Sequence, residues 1–133
     1  MSHLYYNLTQ INLKEKFMSK KVYCIAQFKA KEGREEELFS VLQALEPNTL
    51  REDGCIQFVV TRHVESQIAT GSSFPIVLNE IWTSNQAFEA HCMRKEIQGF
   101  FSEHCEAETG AVEDLNICIY SDEPKNYDAP DID

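Results

Sequence analysis

The stretch FPIVLNEIWTSNQAFEAHCMRKEIQGFF, residues 74–101, holds the three side chains with the most chemistry to offer, Glu80, Trp82 and His91. An imidazole exchanges protons near neutral pH, which makes His91 either a satisfied core histidine or a proton-transfer group. Glu80 alternates with Leu78 and Trp82 on the apolar side of a strand, where a carboxylate without a partner is costly to bury. It therefore pairs with Arg62, Arg94 or a helix-end amide, or it serves as a general base in a cavity. Trp82 either fills the core or walls a pocket for a flat ligand, and in both cases its N–H needs an acceptor. Arg62 and His63, at the end of the preceding strand, reach the same cavity or stand in a solvated loop. His104 reads as structural. The pair His91-Cys92 with His104-Cys105 is the nearest approach to a zinc set, but these residues fit the inner stripes of two helices, and no metal is expected. Nucleophile elbows, phosphate-binding glycine loops and dinucleotide fingerprints are absent from the sequence.

The elements that must position these groups follow from periodicity. Residues 21–29 alternate, with Val22, Cys24, Ala26 and Phe28 opposite Tyr23, Ile25 and Gln27, and form the first strand. Past Gly33 a helix opens on Glu35, Glu36 and Glu37, whose charges suit the positive end of its dipole. Leu38, Val41, Leu42 and Leu45 make its apolar stripe, and Pro47 is expected to end it. Asp53-Gly54 marks a turn into a second strand, with Ile56, Phe58 and Val60 on the inner face. Residues 65–73 read as a long hairpin loop and residues 74–82 as the third strand. The T-x-x-Q spacing from Thr83 to Gln86 predicts a capping box and a helix with Phe88, His91 and Cys92 inside. A second helical segment carries Ile97, Phe100, Phe101, His104 and Cys105, Gly110 closes it, and residues 112–120 are the fourth strand, with Leu115, Ile117 and Ile119 on the inner face opposite Asn116, Cys118 and Tyr120.

The order βαββαβ predicts an α+β, ferredoxin-like domain over residues 21–120, a four-stranded antiparallel sheet with helices on one face. Residues 1–20 read as an appendage, with Met18 itself a plausible start, and residues 121–133 as an acidic tail. The sheet face from Tyr23, Ile25 and Gln27 across to Asn116, Cys118 and Tyr120 has no formal charge, unlike a sheet left in water. The economical cover is the same face of a second copy, giving a homodimer closed as an α+β barrel. A net charge of −10 argues against duplex nucleic acid or an anionic membrane as partner. Five cysteines without C-x-x-C spacing read as reduced thiols in the cytoplasm, and no apolar run is long enough to span a bilayer.

In this order and spacing, K-x-G-R-E-E-E-L leading into the first helix, D-G-C before the second strand, E-x-W-x-S with A-x-x-x-H, and I-Q-G-F-F resemble the antibiotic biosynthesis monooxygenase family. The resemblance covers residues 21 to about 120. It implies a ferredoxin-like protomer dimerised through its sheets, acting with dioxygen on a small aromatic, quinol-like substrate without flavin, haem or metal. Carried onto this chain, it makes His91 the proton-transfer group with Glu80 orienting it, and Trp82 a pocket wall. Arg62, His63, Glu96 and Phe101 complete the substrate-contacting set. Glu96 stands where family sequences often have a second histidine, and the 65–73 loop is longer than usual. Related dimeric barrels include isomerases and haem-degrading enzymes with an Asn, Trp and His set, but Gln27 and Phe28 stand where that asparagine would be. A non-enzymatic ligand-binding dimer on the same scaffold is the competing class.

Overall fold

The computed structural model describes residues 20–123. The expectations for residues 1–19 and 124–133, the extension and most of the tail, lie outside the described residues. The elements run β1 (Val22–Ala30), α1 (Glu35–Gln43), α2 (Glu46–Leu50), β2 (Cys55–Arg62), β3 (Ile76–Trp82), α3 (Asn85–Cys92), α4 (Lys95–Phe100), a π-helical turn (Phe101–Glu106) and β4 (Val112–Ser121). The strands form one sheet in the order β2-β3-β1-β4, every neighbouring pair antiparallel. This is the ferredoxin-like α+β arrangement.

The central strands show why the fold forms. β3 alternates buried and half-buried residues along its whole length, and β1 does so from Val22 to Phe28, so one face of each is withdrawn from water. Phe28, Ile76 and Trp82 on that face meet Leu38 and Leu42 from α1 and Ile97 and Phe100 from α4 in a single core. Burying each such side chain contributes about 1.5–3 kcal/mol, which stabilises the helix layer on the sheet.

The structure departs from the sequence reading at four places. Pro47 does not end a helix: α1 stops at Gln43, and Pro47 sits in the first turn of the short α2, where a proline's missing N–H has no helical partner to lose. Ile56 is exposed because β2 carries a bulge, its register on β3 shifting between Cys55 and Gln57. Ile117 and Ile119 on β4 are also exposed, although they pair with the buried Ala26 and Cys24, because the helix layer ends short of this edge strand. Finally, the cap of α3 is Ser84, one residue later than the T-x-x-Q spacing predicts.

Ser84 is extended, and its hydroxyl accepts from the Ala87 N–H at 3.1 Å. Ser84→Ala should therefore cost about 1 kcal/mol in urea unfolding. Thr83→Ala, at an exposed side chain outside the helix, should change stability by less than about 0.5 kcal/mol. Equal losses from the two changes would return the cap to Thr83.

Candidate functional site

Glu80 is placed by register. It faces Cys24 across the β1–β3 ladder and Phe58 across the β2–β3 ladder, so it enters the core at mid-sheet. Trp82, two residues later on the same face, donates from Nε1 to Glu80 Oε1 at 2.9 Å. Strand periodicity thus supplies the acceptor that the indole needs. His91 arrives from the last turn of α3, and its Nε2 lies 3.9 Å from Glu80 Oε1. Its ring packs against Trp82 at 4.6 Å and Phe58 at 5.4 Å between centroids.

The other imidazole nitrogen, Nδ1, lies 3.0 Å from Glu52 Oε2. Arg94 donates to that same oxygen and reaches Glu96 Oε1 at 3.4 Å. A chain of polar side chains therefore runs from the buried Glu80 through His91 and Glu52 to the half-buried Arg94 and Glu96. The turn that carries Glu52 is tied to the β3–α3 junction by the Thr83 N–H, which donates to the Gly54 carbonyl at 2.8 Å. Gly54 has φ +86, and a Cβ there would collide with Ala87 and Thr83, so only glycine lets the two segments approach this closely.

Between sheet and helices is a cavity with about 50 Å³ open to a water-sized sphere. Glu80 and His91 are the ionising acid and base in a lining that includes Phe28, Leu42, Phe58 and Phe100. At roughly 10–15 Å³ per water this space holds only a few waters, so an aromatic ligand must displace the less buried lining residues Phe88, Phe101 and Ile117.

Burial sets the electrostatics. It pushes the Glu80 carboxyl up to about 7, against the opposing pull of hydrogen bonds from Trp82 and Cys24. Burial also lowers His91 below the usual imidazole value, with Glu52 acting in the opposite direction. Both groups are therefore favoured in their neutral forms, and the cavity can exchange a proton without holding a net charge. The cavity thiol of Cys92 is pushed up to about 11 by burial, and that of Cys24 is also raised, so both stay protonated at neutral pH. Among the described residues, no group of three or more His, Cys, Asp or Glu side chains is placed to hold a metal ion.

The residues expected at the site divide. Glu80, His91 and Phe101 line the cavity. Trp82 does not: it is fully buried behind His91, and its flat face supports the imidazole instead of a ligand. Arg62 is drawn away to α1, bridging Glu35 and Glu36 and lying over the Phe39 ring, because three acidic residues in that first turn attract it. His63 lines a separate, open groove with the 65–73 loop. Glu96 stands at the outer end of the polar chain. Glu80 pairs with neither arginine named as a candidate. Glu52 was missed: its one trace in the sequence is its place before Asp53-Gly54, which announces a turn but not what the turn faces.

Comparison with known proteins agrees with this architecture. Protein SO0527 from Shewanella oneidensis is 29% identical with a TM-score of 0.63, the match covering 77% of this chain and 90% of that one. PA3566 from Pseudomonas aeruginosa is 25% identical with a TM-score of 0.63, covering 77% and 94% of the two chains. Rv0793 from Mycobacterium tuberculosis, 20% identical with a TM-score of 0.60 over 75% and 92%, shares the fold. No curated protein matches the sequence. The family model for antibiotic biosynthesis monooxygenase matches residues 21–103, more than half of the chain and all of β1 through α4. The chain belongs to the antibiotic biosynthesis monooxygenase family.

Proposed function

We propose that this protein is a cofactor-independent monooxygenase of a small quinol or phenol. The observation that carries the reading is the buried Glu80–His91 pair, 3.9 Å apart at one end of an otherwise apolar cavity. An oxygen about 2.8 Å from both groups fits between them, the spacing a phenolic hydroxyl needs to contact a base and a carboxyl at once. His91 takes the phenolic proton, and Glu80 orients the hydroxyl. The electron-rich phenolate then reacts with dioxygen in a water-poor space. One oxygen atom is retained as a ring carbonyl and the other leaves as water, the substrate supplying all four electrons.

An oxygen electrode with a panel of quinols and hydroxynaphthalenes tests the reading on metal-stripped protein. Uptake matched to loss of the quinol supports it. A folded protein that binds a quinol and returns it unchanged would make the chain a ligand-binding member of the family.

A second copy covering the sheet face opposite the helices belongs to the same proposal. Val59 and Tyr120 on that face are 38% and 57% exposed, and its charged residues on β1 and β4, Lys29 and Asp114, pair at one end of the strands and leave its middle uncharged. Ile81, half-buried on the inner strand β3, is the place to disturb it. Sedimentation should show a wild-type dimer and an Ile81→Lys monomer; a wild-type monomer at micromolar concentration would remove the dimer. Five free thiols support a reducing compartment such as the cytoplasm. Among the described residues, no helix is long and apolar enough to cross a membrane.

A further inference from the structure

We infer that Glu52 is the positioning residue of this site: held by Arg94, it fixes His91 as the Nδ1-protonated tautomer and so turns the bare Nε2 toward Glu80 and the cavity. The inference rests on the proposed role of His91 as proton acceptor. A carboxylate accepts hydrogen bonds and has none to donate. Glu52 Oε2 lies 3.0 Å from Nδ1 and already accepts from Arg94, so the single proton of the neutral ring belongs on Nδ1. The opposite tautomer would set a bare nitrogen against a carboxylate and aim an N–H at the cavity, leaving no base there.

Glu52 is itself held firmly. Its backbone N–H donates to the Thr49 carbonyl at 3.0 Å, and its carbonyl accepts from Cys55 at 3.2 Å. The ring cannot rotate freely, since Trp82 and Phe58 pack against it. Around the ring stand Glu80 from β3, Glu52 from the turn before β2, Arg94 after α3 and Glu96 on α4, with the thiols of Cys24 and Cys92 beside Glu80. Of these groups, Glu52 alone makes a hydrogen bond to the ring. At 3.9 Å Glu80 is too distant to choose the tautomer directly.

Nitrogen-15 NMR of histidine-labelled protein tests this without a substrate. At a pH where the ring is neutral, wild-type His91 should show a protonated Nδ1 and a bare Nε2. Glu52→Ala should move the ring toward the Nε2–H form, and Glu52→Gln, whose amide oxygen can still accept, should restore most of the Nδ1–H form. Wild-type His91 protonated on Nε2, or an unchanged tautomer in Glu52→Ala, would overturn the inference. Where a quinol is turned over, kcat in Glu52→Ala should fall by up to about 10⁴-fold with KM unchanged, and in Glu52→Gln it should follow the fraction of Nδ1–H ring that the NMR reads. A ring that behaves as expected in a protein that consumes no oxygen would sink the oxygenase reading and leave the role of Glu52 standing.

Discussion

Replacing His91 by alanine should, on the proposed function, lower the turnover number of quinol-dependent oxygen uptake by about 10²–10⁴-fold, the usual contribution of a positioned acid or base. The effect should fall on kcat, because the proton is moved in the transition state, while the apolar lining that holds the ring of the substrate is unchanged. Loss of packing must be separated from loss of chemistry. The imidazole is 4% exposed and lies against Trp82 and Phe58, so alanine also opens a void that costs about 2–4 kcal/mol. His91→Gln keeps more of the volume and a polar end without a base, and should lose activity to the same extent while unfolding closer to wild type. Turnover retained in both variants would remove His91 from the reaction.

The second large effect concerns stability. Glu80 has an ordinary value of 4.5, and in the folded chain burial raises it to about 7. Between these two values the folded protein keeps a proton that the unfolded chain has released, so this group makes stability fall as pH rises through the window and levels off above it. A difference of that size corresponds to about 3 kcal/mol. Glu80→Gln abolishes the slope and keeps the bond from Trp82, since the amide oxygen still accepts. At pH 8 it should therefore be more stable than wild type by up to about 3 kcal/mol, and at pH 4 the two should be nearly equal. His91, lowered by burial, has the opposite sign: its neutral form is favoured in the fold, and stability is lost as pH falls below its ordinary 6.5. Below pH 6.5 the two slopes oppose one another in wild type, whereas Glu80→Gln keeps only the rise from His91 and should level off above that pH. Urea unfolding across pH 4–8.5 measures both arms, and a fall in stability between pH 4.5 and 7 that survives in Glu80→Gln would show that Glu80 is not its source.

Much of this could be read from the chain. Strict alternation in β1 and β3 decides which face is buried, since neighbouring side chains on a strand must point opposite ways. Glu80 on the inner face, Trp82 two residues on and His91 inside the next helix follow from two local periods, and the structure brings all three together. The misses also have local causes. Thr83 and Ser84 are both competent caps, and choosing between them requires knowing where β3 releases the chain. Ile56 reads as inward until a bulge shifts the register, and Ile117 and Ile119 until the helix layer stops short of β4.

By itself the sequence determined the order of elements, the faces of the central strands and the presence of an acid and an imidazole on one buried surface, because these depend on contacts within a few residues. Only the tertiary structure decided their partners. Glu52 lies 39 positions from His91 and meets it because the turn at Gly54 is tied to the end of β3. Arg62, although at the end of the strand that precedes β3, is claimed by α1, and Trp82 becomes the support of the imidazole and not a wall of the cavity. Ion pairs and ring contacts of this kind depend on separations of a few ångströms between distant segments, and no local period encodes them.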